Sequence, residues 1–206
     1  MRQHQGIKLP VRTGFCCGID EVGRGALAGP VVAAAVILPR DFYPEGLDDS
    51  KKLSKSKREY LYLSMKERVQ FGIGVVSAKE VDLFNVHNAS LLAMERAVEK
   101  LKVGPEIALI DGQHVPKGLN VFAKTYVSGD AIIPVIAASS IFAKVYRDNL
   151  MSNLSKIHPG YGWEKNVGYG TRSHLEGLKK QGITSEHRCS FRPIYNMLCH
   201  ENKITF

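Results

Sequence analysis

The sequence is poor in the features that would place it in several large classes. No apolar run reaches the roughly 20 residues that a membrane helix needs. The longest, VVAAAVIL at 31–38, has the length of a buried strand. The opening MRQHQGIKLPVRTG is polar and basic with no apolar h-region, so a short flexible arm over 1–13 is expected rather than a secretory signal. Cysteine is sparse: Cys16, Cys17, Cys189 and Cys199 form no C-x-x-C pair, and no Cys or His pair has zinc-ligand spacing. Cys16 and Cys17 lie inside an apolar strand and read as reduced core residues, which makes the cytoplasm the expected compartment. No repeat, low-complexity tract or long linker interrupts the chain, and its 206 residues are expected to form one domain. Acid is the scarcer charge, 20 Asp and Glu against 28 Lys and Arg. The resulting net charge of +8 points to a polyanionic partner, above all nucleic acid, bound through phosphate contacts.

What is present is an alternation of strand and helix patterns. Strands are predicted at 15–20, 30–38, 71–77, 106–110 and 120–127, and helices at 54–68, 87–102, 138–157 and 171–181. Ser54 is the predicted N-cap of the first helix. Three early strands followed by alternating elements indicate an α/β fold, a mixed central sheet flanked by helices, with an α/β core over 15–157 and a small helical, substrate-binding region over 158–206. In such sheets, sites gather at strand ends.

Four of the acids lie at those ends. Asp20 and Glu21 close the first strand, Asp111 follows IALI, and Asp130 lies in VSGDAIIP just past the next strand. Neighbouring strand residues face opposite ways, so both Asp20 and Glu21 can serve one site only if the strand stops or bends there, and Gly23 supplies the means. Clustered carboxylates repel and raise one another's pKa unless cations sit between them. Hard divalent ions, Mg²⁺ or Mn²⁺, suit an all-oxygen set, and a carboxylate-held metal pair supports phosphoryl displacement. For any one Asp-Gly, a capped turn is the simpler reading; for the four together it is not. Asp48 and Asp49 read as a solvated turn, and Asp148 as an ion-pair partner of Lys144 or Arg147 on the long helix.

Basic and aromatic residues supply the candidate binding surface. Arg24 stands between Gly23 and Gly25; glycines allow a backbone to approach a ribose 2′-OH, and the guanidinium suits the adjacent phosphate. DSKKLSKSKRE at 49–59 is either a solvated helix face or a phosphate-binding edge. Tyr169, between glycines, is available to stack on a sugar or base, whereas Trp163 reads as a packing anchor. Lys51, Lys52, Lys144 and Arg188 complete the candidate substrate-binding set, with His187 more simply exposed near the chain end. A dinucleotide-binding reading of GRGALAG fails, because the glycine spacing is wrong and Pro30 with its β-branched run forbids the required helix.

The motifs GIDEVGRGALAGPVVAAAVIL, DSKKLS, LIDG, SGD, IIPVIAASSIFAKVYRD, GYGT and HRCSF, in that order from about Cys17 to Pro193, resemble bacterial ribonuclease HII, the type 2 ribonucleases H. The resemblance implies a ribonuclease H-like fold and metal-dependent endonucleolytic cleavage of RNA paired with DNA, including single ribonucleotides embedded in duplex DNA. A monomer without membrane attachment is expected. The resemblance assigns metal binding to Asp20, Glu21, Asp111 and Asp130, 2′-OH reading to Gly23, Arg24 and Gly25, and contact with the sugar at the RNA-to-DNA junction to Tyr169. Ala26 replaces a common proline, Ser128 a usual lysine and Cys189 a common arginine, departures that bear on affinity more than on chemistry. The related type 3 enzymes share the acids but usually carry an extra N-terminal domain, for which this chain has no room. A non-catalytic nucleic-acid-binding protein is the rival reading.

Overall fold

The computed structural model describes residues 15–42, 44–47, 50 and 52–201, with side chains described as far as Cys199. Asp48, Asp49, Lys51 and the expected N-terminal arm lie outside the described residues. Five strands, β1 (Cys16–Val22), β2 (Val31–Ile37), β3 (Gln70–Val76), β4 (Ile107–Asp111) and β5 (Phe122–Tyr126), form one sheet in the order β3-β2-β1-β4-β5. The β1–β2 and β2–β3 pairs are antiparallel, whereas β1–β4 and β4–β5 are parallel, so the sheet is mixed as expected. The helices are α1 (Lys55–Lys66), α2 (Ala78–Glu99), α3 (Pro134–Ile157), α4 (Trp163–Asn166), α5 (Arg172–Gln181) and α6 (Arg192–Glu201).

Helices cover both faces because both faces of the central strands are apolar. Cys17, Ile19, Ala108 and Ile110 pack on α2 residues such as Ala93 and Ala97, while Val32, Ala34 and Val36 meet Ile141 and Phe142 of α3. Glycines let the helices close in. A Cβ at Gly18 would stand 2.2 Å from the Val135 carbonyl oxygen of α3, so β1 and α3 touch backbone to backbone. Ser139 locks this contact by donating to the Gly18 carbonyl at 2.7 Å.

Caps define most helix starts. Ser54 accepts from the Lys57 amide as predicted, and Ser77 with Glu80 makes a capping box that starts α2 well before the expected residue 87. The difference arises because Asn85, at φ 64°, breaks the helical periodicity; its Oδ1 caps a second start by accepting from the His87 and Asn88 amides. Helix α3 begins four residues before the predicted Ala138, since Pro134 at its first turn loses no bond there. Beyond α3, Leu27, Met151, Trp163, Leu178 and Ile194 form a separate small core that seats α4, α5 and α6. Trp163 is the anchor expected of it. His187, expected to be exposed, is buried there beside His174, which accepts from the indole Nε1 at 3.0 Å.

Candidate active site

Strand register brings the acids together. The parallel β1–β4 ladder ends at Ile19 opposite Ile110, so the next positions are Asp20 and Asp111, side by side. Alternation sends Gly18 and Asp20 of β1, and Leu109 and Asp111 of β4, to the α3 face. Just past β5, Ser128 in the left-handed region turns the chain into a single 3-10 turn, Gly129–Ala131. The Gly129 amide donates to Asp111 Oδ1 at 2.7 Å, which draws Asp130 to the same point. Asp20, Asp111 and Asp130 each offer a carboxylate oxygen, and these atoms lie within 4.8 Å of one another.

Glu21 stands apart from this triad. β1 does not end at Asp20 as expected but runs on in register to Val22 opposite Val32, so Glu21 alternates away from Asp20. Its Oε1 accepts from Arg24 Nη1 at 3.0 Å, and its buried Oε2 has no hydrogen-bond partner among the described residues. Burial, then the charge of Glu21, holds the Asp20 carboxyl well above the carboxylate range, opposed by hydrogen bonds from Ser140 and the Glu21 amide. Burial likewise raises Glu21, with Arg24 opposing and Asp111 adding to the rise. Three carboxylates from three elements, with a fourth beside them and elevated proton affinity, form a hard oxygen donor set that fits divalent cations.

The glycine loop differs from expectation in one respect. Gly23 is buried at φ +92°, and a Cβ there would stand 2.2 Å from Nε of Arg147. Its missing side chain therefore makes room for an interior arginine. Arg24 and Gly25 are exposed, and Gly25 lies against the Tyr169 ring, where a Cβ on the glycine would stand 3.6 Å from Cε1. Tyr169 is itself 37% exposed. Arg24, Gly25 and Tyr169 thus form one surface beside the acids.

Two other basic residues are placed differently. Lys144 donates to Asp148 at 2.8 Å on α3, in keeping with the ion-pair reading of Asp148. Arg188, expected at the substrate surface, is wholly buried and donates to the carbonyls of Gly29 and Arg24. Lys52 is exposed ahead of α1, and Lys51 lies outside the described residues. Sequence reasoning missed Ser140 and Arg147. Both lie on the α3 stripe of Ser140, Ala143, Arg147 and Met151, all buried at helical spacing, and that stripe was the available signal.

Residues 17–196 match the family described as Ribonuclease HII. The chain belongs to the ribonuclease HII family. Among curated members, the ribonuclease HII of Ruegeria pomeroyi is 50% identical over 184 residues, 89% of this chain and 79% of its own. That of Cereibacter sphaeroides (strain ATCC 17025) is 49% identical over 194 residues, 93% of this chain and 92% of its own. The fold is shared with the crystal structure of ribonuclease H2 from Pyrococcus horikoshii, at a TM-score of 0.76 and 22% identity, over 92% of this chain and 99% of that one. Bst-RNase HIII in complex with Mn²⁺ matches at a TM-score of 0.71 and 19% identity, over 92% of this chain and 70% of that one. As a ribonuclease HII family member the chain is a hydrolytic endonuclease of the ribonuclease H type, acting on RNA paired with DNA. Among the described residues, no helix is long and apolar enough to cross a membrane.

Proposed function

We propose that this chain cuts the phosphodiester 5′ to a ribonucleotide, in RNA–DNA hybrids and at single ribonucleotides within duplex DNA, leaving 3′-hydroxyl and 5′-phosphate ends. The observation that carries this reading is the convergence of Asp20, Asp111 and Asp130 within 4.8 Å beside the exposed Arg24 and Gly25. These three carboxylates, with Glu21 at their edge, would hold Mg²⁺ or Mn²⁺. Two such ions, when bound, lower the pKa of an attacking water and stabilise the leaving 3′-oxygen.

The remaining work falls to side chains and backbone. Ser140 orients the Asp20 carboxylate, and the Gly129 amide orients that of Asp111. Glu21 holds Arg24 by one oxygen while leaving its guanidinium half exposed, placed for the neighbouring phosphate. The exposed backbone of Gly25 is open to a ribose 2′-OH, and Tyr169 beside it offers a ring to the sugar. Raised proton affinity at Asp20 and Glu21 makes their ionised form depend on the cations they hold.

One incubation tests the reading. A labelled duplex containing a single ribonucleotide should be nicked once, 5′ to the ribose, only with Mg²⁺ or Mn²⁺ present. Tight, salt-sensitive binding without scission would instead favour a non-catalytic nucleic-acid-binding protein.

A further inference from the structure

The glycine loop rests on two buried cations. Arg147 and Arg188 are each 0% exposed, and every hydrogen bond their guanidinium groups make among the described residues goes to a main-chain carbonyl. Arg147 donates to Pro30 and Ala28 of the loop, at 2.9 and 3.2 Å, and to Val167 at 2.9 Å. Arg188 donates twice to Gly29, at 3.0 and 2.8 Å, and once to Arg24 at 2.9 Å. A charge removed from water needs surroundings that replace its lost solvation. Here the carbonyls do so, and the consequence is geometric: the Arg188 fork fixes the two ends of loop 23–30, and the Arg147 fork joins that loop to Val167 of the turn that carries Tyr169.

Further contacts reinforce that spacing. The Leu27 and Ala28 amides both donate to the Gly168 carbonyl, at 2.8 and 3.2 Å, and the Arg188 amide donates to Leu27. Val167 sits at φ 45°, ψ 36°, a left-handed conformation costly for a β-branched residue, and Arg147 grips its carbonyl. The Arg147 guanidinium carbon also lies 5.9 Å from the Tyr169 ring centre. Arg24 and Tyr169, the two exposed side chains of the surface, are thus tied to one interior pair.

We propose that Arg147 and Arg188 are positioning residues for ribonucleotide selection. They hold Arg24, Gly25 and Tyr169 at a fixed spacing before substrate arrives, so that one ribose is read without an ordering step. The inference rests on the reading that these exposed residues contact the ribonucleotide. A continuous hybrid offers many registers and tolerates a looser reader, whereas a lone ribonucleotide offers one. Lysine keeps the charge, but its three donors radiate from one nitrogen and lack the planar fork that reaches carbonyls on separate sides.

The test measures kcat and KM for Arg188→Lys and Arg147→Lys on two substrates, a duplex with one ribonucleotide and a continuous hybrid. Each variant should lower the ratio of kcat/KM between the first substrate and the second about ten-fold, chiefly through KM. The rise in Tm caused by Mn²⁺ should match that of the wild type. Folded variants with an unchanged ratio would overturn the proposal. Should neither lysine variant fold, amide hydrogen exchange of the wild type decides: the Leu27, Ala28 and Arg188 amides should be protected before the duplex is added, and protection gained only on binding would overturn the proposal. Arg24→Ala run in parallel separates the two readings. If Arg24→Ala lowers the ratio and the lysine variants do not, only the positioning role fails; if Arg24→Ala leaves it unchanged, the loop does not read the ribose.

Discussion

The acid cluster and the loop beside it carry opposite charge and are held in opposite ways. Asp20 and Asp111 owe their positions to two adjacent parallel strands, one residue past the last paired position, and Asp130 to a short turn bonded to Asp111. The loop owes its shape to side chains distant in sequence, Arg147 and Arg188, which reach its carbonyls from α3 and from the segment before α6. The acids are set by backbone pairing and repel one another; the arginines are set by their own side-chain reach and satisfied by main-chain dipoles. Substitution should therefore act on chemistry in the first region and on selection and stability in the second.

The largest expected effect is at the acids. Asp20→Asn should lower cleavage by about a hundred-fold or more on every substrate while hybrid binding survives. Substantial turnover of that variant at high Mg²⁺ would remove Asp20 from the metal site and erase the contrast. Next comes Arg147→Met, which leaves the Pro30, Ala28 and Val167 carbonyls buried without their donor. A loss of about 3 kcal/mol is expected, or about 6–12 °C in Tm, with the effect of Mn²⁺ on Tm retained. A calorimetric scan showing no change would mean that the clasp contributes little to the fold.

The two regions should also answer pH with opposite signs. Asp20 and Glu21 have folded pKa values raised above their unfolded ones. Their contribution is thus fully present below about pH 4 and is lost as pH rises through the raised values. His187 behaves in the reverse sense: burial and His174 push it down to about 4 from 6.5. Its contribution is present above pH 6.5 and is lost as pH falls towards 4. In metal-free protein, Asp20→Asn should flatten the decline in Tm that sets in as pH rises above about 4, and His187→Gln the decline between pH 6.5 and 4. Mn²⁺ should abolish only the first, and identical profiles in variant and wild type would break the assignment. The smallest effect is expected far from both regions, where Ser54→Ala should remove the α1 cap and lower Tm by about 2–4 °C.

Legibility in the sequence follows the same division. The mixed sheet, the acids at strand ends, the Ser54 cap and the Trp163 anchor depend on period, composition and neighbours in the chain, all of which a single sequence displays. The extension of β1 through Val22 is hidden because glycines after Glu21 suggest an earlier stop. Gly23 does bend the chain, but the reason no side chain fits there is the Arg147 guanidinium, more than a hundred positions away. Arg188 carries the same lesson: a basic residue in a polar C-terminal stretch resembles a surface phosphate ligand until the carbonyls of residues 24 and 29 are found around it.

By itself the sequence determined the strands, their carboxylates, the basic balance and the family pattern, because hydrophobic period and local turn chemistry act over a few residues. Only the tertiary structure decided that Asp20, Asp111 and Asp130 form the triad while Glu21 turns to Arg24, and that two arginines lie inside rather than on the substrate face. Those outcomes depend on strand register and on which remote carbonyls remain to solvate a buried charge, and both are settled when the elements pack.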